Sequence, residues 1–112
     1  VEKKIIDDNI LIIKLPARLG IGFKDEEFNE IKQLITETDK KIILNLENTK
    51  AIDSSSIGII LKKYVDYKNI NRERDIVICC VKNIVKRSLD IIPIDKYISV
   101  FETEEEAINY FK

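Results

Sequence analysis

The chain has 112 residues, 45% of them hydrophobic and 35% charged, with 19 basic and 20 acidic side chains and a formal net charge of −1. That size gives one hydrophobic core, that apolar content argues against disorder, and the charge balance gives no reason to expect nucleic acid or an anionic membrane as partner. The absence of histidine excludes imidazole catalysis and the commonest metal ligand.

The first elements read as a hairpin. Lys4 to Ile6 and Ile10 to Leu15 are β-rich runs, and Asp8-Asn9 between them is good turn chemistry. The stretch PARLGIG follows, with Pro16, Gly20 and Gly22 as breakers, and is expected to be a loop. In KDEEFNEIKQLITET the residues Phe28, Ile31, Leu34 and Ile35 recur at helical spacing. Asp25, Glu26 and Glu27 fall in its first turn, where the helix dipole favours anions.

KIILNL, residues 41 to 46, is a short apolar run and reads as a strand buried on both faces. A helix is expected to open after ENTKAID, at the three serines. Ile57, Ile60, Leu61, Tyr64 and Val65 would form its apolar stripe, and the helix is expected to end near residues 68 to 71. DIVICCV, residues 75 to 81, is a further buried strand. Asn83 is placed to cap a helix carrying Val85, Leu89 and Ile92, which stops before Pro93. Residues 97 to 101 read as a last strand, and Thr103-Glu104-Glu105-Glu106 opens a final helix with a capping-box pattern.

The expected order is therefore β-β-α-β-α-β-α-β-α in a single domain spanning residues 1 to 112. This is an α/β fold with a mixed, mostly parallel sheet of about five strands and about four helices. No apolar run approaches the ~20 residues needed to cross a bilayer. The segment VEKKIIDDN lacks the long apolar core of a signal peptide, and a cytoplasmic protein is expected from the cysteines that follow. Cys79 and Cys80 are adjacent. In a strand their side chains point to opposite faces, so a mutual disulfide would be strained, and they are read as packing thiols of a reducing cytoplasm.

Conventional enzyme signatures are absent. There is no Walker A pattern, no G-x-G-x-x-G and no G-x-S-x-G, so no enzyme activity and no cofactor are expected. The basic residues Lys62, Lys63, Lys82, Lys86 and Arg87 read as solvated helix faces. What remains is AIDSSSIGIILKKY, residues 51 to 64, where an aspartate and three hydroxyls stand at the mouth of a helix. Two readings are open. Asp53 or Ser54 caps the helix and the other serines fill space. Alternatively, one hydroxyl is there to be modified, because a phosphate at a helix N-terminus meets free N–H groups and changes the local charge by about −2.

The segment KIILNLENTKAIDSSSIGIILKKYVDYK resembles the signature of STAS domains, especially the bacterial anti-sigma factor antagonists. That pattern is an apolar strand, a short loop, then Asp-Ser-Ser/Thr-Gly-Leu/Ile-Gly opening a helix. PARL resembles the family's Gly-Arg-Leu, NIVKRSLDIIPIDKYISVFETEEEAINYF resembles its closing helix, strand and helix, and the element order is the same. The chain departs from the pattern at Ser56, where glycine is usual, at Pro93, which falls near a frequent glycine, and at Gly20 and Asn45, where an acid is common. The resemblance implies a protein-binding switch in transcription regulation. Its partner is an anti-sigma factor with serine kinase activity, which supplies ATP and Mg²⁺. The phosphoacceptor would be Ser54, and the partner-binding residues Asp53, Ser54, Ser55, Ser56, Ile57 and Gly58. The protein itself would be a monomer or weak dimer. The alternative is a non-switching STAS scaffold or subunit of a stress-signalling or transport assembly.

Overall fold

The computed structural model describes residues 2–19, 26–53, 56, 58, 59, 61–63, 65, 66, 75–91, 96 and 98–112. The hairpin expected at the start is present: β1 (Glu2–Ile6) and β2 (Ile10–Lys14) pair antiparallel, with Ile6 opposite Ile10. Asp7 and Asp8 take φ of 51° and 61° in the turn. Short acidic side chains tolerate that left-handed region, and such turns match the natural twist of a hairpin. A two-residue strand β3 (Arg18–Leu19) follows, and then α1 (Glu26–Glu37).

The central strand β4 (Lys41–Asn45) runs parallel to β2, so the chain has crossed over through α1. A second two-residue strand, β5 (Ala51–Ile52), precedes a helix whose described residues are 56, 58, 59, 61–63, 65 and 66, here α2. The remaining elements are β6 (Ile76–Cys79), α3 (Asn83–Ile91), β7 (Val100–Phe101) and α4 (Glu104–Phe111). The main sheet has the order β1-β2-β4-β6-β7, parallel throughout except for β1, and β3 pairs with β5 in a separate parallel ribbon.

Alternation along the strands divides the core in two. Leu11, Ile13, Ile42, Leu44, Ile76 and Ile78 face one way, against Ile31 and Ile35 of α1, Ile59 and Leu61 of α2 and Val85 of α3. Ile10, Ile12, Ile43, Val77 and Cys79 face the other way, against Ala107, Ile108 and Phe111 of α4. Ile42, Ile43 and Leu44 are 0% exposed. Burying each such side chain stabilises the fold by about 1.5–3 kcal/mol.

Several boundaries differ from the sequence expectation. β6 stops at Cys79 because Cys80 turns to φ 63°. β7 keeps two residues of an expected five, with Tyr97 outside the described residues. Asn83 is the first helical residue of α3 rather than its cap. The carbonyl of Lys82 accepts from the N–H groups of Val85 and Lys86, so the cap position is one residue earlier. Thr103 does cap α4: its hydroxyl accepts from the Glu106 N–H at 3.1 Å and donates to Glu106 Oε1 at 3.3 Å. Gly20, Gly22, Ile92, Pro93 and residues 68 to 71 lie outside the described residues, as do the side chains of Phe28 and Leu89.

Asn45, at the C-terminal end of β4, is 1% exposed and bonded through both its amide nitrogen and its amide oxygen. Its Nδ2 donates to Glu104 Oε2 at 2.6 Å, and its Oδ1 accepts from the Glu47 N–H at 2.8 Å. Lys4 Nζ reaches Glu104 Oε1 at 2.7 Å, so β1, β4 and α4 are joined through one carboxylate. Desolvation pushes the Glu104 carboxyl up, but the hydrogen bonds from Lys4 and Asn45 and the charges of Lys4 and Lys14 together hold it below its ordinary value. An aspartate at position 45 would bring a second carboxylate against Glu104, so the amide and this acid belong together.

A folded-state value below the unfolded one contributes stability above the unfolded carboxylate range, near ~4.3, and loses it as pH falls through the folded value. Glu104→Gln is therefore expected to cost about 1 kcal/mol at pH 7, and the difference should vanish in strong acid. Asn45→Asp is expected to cost about 2 kcal/mol at pH 7. Its new carboxyl has a raised folded value, so that penalty should shrink at pH 5. Urea unfolding at the stated pH values checks both.

Candidate functional site

The motif is held by a loop whose polar groups are satisfied one after another. The Leu46 N–H donates to the Cys79 carbonyl at 3.0 Å and the Thr49 N–H to the Leu46 carbonyl at 3.0 Å. Thr49 is 0% exposed, and its hydroxyl donates to the Pro16 carbonyl at 2.9 Å. Backbone N–H groups of Lys50 and Ala51 reach the Ala17 carbonyl, and that of Asp53 reaches the Leu19 carbonyl at 3.2 Å. The β3–β5 ribbon, which the sequence reading took as loop, thus fixes the chain up to Asp53. Leu19 and Ile52 pair across it, both buried, while Arg18 and Ala51 face out.

Asp53 then starts α2. Its Oδ1 accepts from the Ser56 N–H at 2.8 Å, the three-residue reach of an N-cap. Of the two cap candidates, the aspartate is the one shown to cap. Ser54, Ser55 and Ile57 lie outside the described residues. Ser56 was expected among the partner-binding residues, but it is 0% exposed, and its Oγ has no hydrogen-bond partner among the described residues. Its side chain therefore belongs to the interior side of the helix start, where a glycine or alanine would leave no unsatisfied hydroxyl.

The helix face also differs from the expected stripe. Ser56, Ile59 and Leu61 lie toward the core, and Lys63 is half-buried with its Nζ 3.5 Å from Thr36 Oγ1 on α1. Val65, expected inside, is 53% exposed. Ile60 and Tyr64 lie outside the described residues. Gly58, Lys62 and Val65 are exposed at i, i+4 and i+7 and so share one outward face. A Cβ built on Gly58 would meet nothing within 4 Å, so the fold itself does not require a glycine there. The i, i+4, i+7 spacing is visible in the sequence, but the apolar character of Val65 points it to the core and hides this face.

Other chemistry is sparse. Among the described residues no group of three or more His, Cys, Asp and Glu is placed to hold a metal ion. No helix among them is long and apolar enough to cross a membrane. A hollow of about 460 Å³ lies beside β1 and α1, lined by residues including Ile5, Leu11, Leu34 and Lys40, away from the motif.

The family model of the STAS domain matches residues 2–107. This chain belongs to the STAS domain family. It is similar to the anti-sigma F factor antagonist of Paenibacillus polymyxa, 29% identical over 101 residues that cover 88% of this chain and 84% of that protein. An anti-sigma-factor antagonist (STAS) domain protein from Planctomyces limnophilus superposes with a TM-score of 0.82 at 17% identity, covering 98% of this chain and 96% of the other. The Bacillus cell fate determinant SpoIIAA in its phosphorylated form superposes with a TM-score of 0.68 at 18% identity, covering 99% of this chain and 98% of SpoIIAA. At those identities the two structures establish the fold. The STAS elements expected from the resemblance are the ones observed, a five-stranded mixed sheet with helices on both faces.

Two substitutions separate what the STAS fold needs here from what it does not. Asp53→Ala should lose about 1 kcal/mol with the cap. Ser56→Ala should gain about 1 kcal/mol by removing an unsatisfied buried hydroxyl, raising Tm by about 4–8 °C for a domain of this size. Thermal unfolding followed by circular dichroism measures both.

Proposed function

We propose that this STAS domain is an anti-sigma factor antagonist, a binding module without catalytic activity of its own that is switched by phosphorylation at Ser54. The single observation carrying this reading is the Asp53-capped start of α2. It accounts for the aspartate of the motif structurally, as the cap that fixes where the helix begins and so where the adjacent serine enters it. The similarity to a protein named as an anti-sigma F factor antagonist supports the same reading.

In this reading the docking surface is the α2 start and its outward face: Asp53, Ser54, Ser55 and Ile57 with Gly58, Lys62 and Val65. The open space over Gly58 lets a partner's backbone approach closely, and Val65 offers apolar area beside it. The partner is an anti-sigma factor with serine kinase activity that brings its own ATP and Mg²⁺. Transfer puts a group of about −2 charge into a packed contact, where its desolvation and its repulsion from partner acids release the complex without any refolding. The protein acts in the cytoplasm, as a monomer or weak dimer.

Incubation with the cognate kinase and Mg·ATP should add one phosphate to the wild type and none to Ser54→Ala, read by intact mass. Ser54→Asp should weaken the complex by about ten-fold or more, about 1.4 kcal/mol, with an unchanged circular dichroism spectrum. A phosphate that persists on Ser54→Ala rejects the acceptor, and stable association insensitive to Ser54→Asp rejects the switch in favour of a scaffold. Gly58→Ala should raise stability by up to about 1 kcal/mol through helix propensity while weakening the complex.

A further inference from the structure

Two thiols that the switch does not use lie within reach of each other. In a continuous strand Cys79 and Cys80 would point to opposite faces. Here β6 ends at Cys79, and Cys80 adopts φ 63°, a left-handed conformation that costs a non-glycine residue roughly 1–2 kcal/mol. The Cys80 N–H donates to the Phe101 carbonyl at 3.1 Å, which fixes that turn. The result is a Cys80 Sγ to Cys79 Sγ distance of 3.4 Å, with both side chains on the α4 side of the sheet. Cys79 is fully buried and Cys80 half-buried, so a small reagent from solvent reaches Cys80 first.

We propose that Cys79 and Cys80 form an oxidisable vicinal dithiol, a modification site whose reagent is a peroxide and whose product is an intramolecular disulfide. The Cys80 thiolate attacks one peroxide oxygen and the O–O bond breaks. The departing hydroxide takes up a proton, leaving a sulfenic acid and one water. The Cys79 sulfur then attacks Cys80 Sγ, and the S–O bond breaks as the S–S bond forms. The second hydroxide leaves with the Cys79 thiol proton as water. Two thiols are oxidised and one peroxide is reduced to two waters. Burial, reinforced by the hydrogen bond and charge of Cys80, holds the Cys79 thiol well above its ordinary range, which disfavours it for the first step; its part in the second rests on the 3.4 Å separation of the two sulfurs.

The test treats the reduced full chain with hydrogen peroxide and then alkylates it under denaturing conditions. The expected product is a monomer lighter by two hydrogens, with no alkylatable thiol. Cys80→Ser, at the half-exposed position, should lose that product, with its fold checked by circular dichroism. In Cys79→Ala the sulfenic acid should persist and be trapped by dimedone at Cys80. Phenylarsine oxide should bind one per wild-type chain and lose that binding in either variant, which tests the sulfur spacing without oxidation. Sulfinic or sulfonic acid at Cys80 with Cys79 free, disulfide-linked dimers, or no reaction would each overturn the proposal.

Discussion

The fold depends on burying β4 from both sides. Its Ile42, Ile43 and Leu44 have no contact with solvent, and each faces the opposite way from its neighbour in the chain. A strand in that position needs parallel partners on both edges and helices over both faces. β2 and β6 supply the first; α1, α2 and α3 cover one face and α4 packs on the other. This arrangement leaves the C-terminal ends of β4 and β6 as the place where the chain must find polar partners. Asn45, Glu47, Thr49 and Asp53 are the groups that do so, and the motif follows from them.

Electrostatics and packing act together at that end of the sheet. Glu104 is stabilised as an anion by Lys4, Asn45 and Lys14, and it also occupies the first turn of α4, where the helix dipole favours a negative charge. Replacing the family's common aspartate by Asn45 turns what would be two facing carboxylates into a donor and an acceptor. A departure from the pattern that looks functional in the sequence therefore has a structural cause. Ser56 is the opposite case: a polar residue sits where glycine is usual, and its hydroxyl has no partner among the described residues.

The strands rich in isoleucine were legible because burial on both faces demands continuous apolar runs, and α1 and α4 were legible from apolar spacing and the Thr103 cap. The ribbon of β3 and β5 was not, because two residues carry no periodicity and the pairing joins residues far apart in the chain, Arg18 with Ala51 and Leu19 with Ile52. The side of α2 that faces out was misjudged at Val65, because an apolar residue at helical spacing carries no sign of whether anything packs on it. The sulfurs of residues 79 and 80 were misplaced because strand alternation was extended one residue past the end of β6. At the site, the capping role of Asp53 was legible from the motif, whereas the burial of Ser56 was not, because a serine in the first turn carries no sign of which side of the helix it takes.

The β3–β5 ribbon has a consequence for how precisely the motif is aimed. With two residues on each side, only the facing pair of Leu19 and Ile52 distinguishes inside from outside. A slip by one residue would drive Ala51 inward, eject Ile52 and pull the carboxylate of Asp53 away from the amide it caps. Intermediate placements are not available to a pleated backbone. The helix mouth is consequently either seated in one orientation or not seated at all, a detent rather than a hinge.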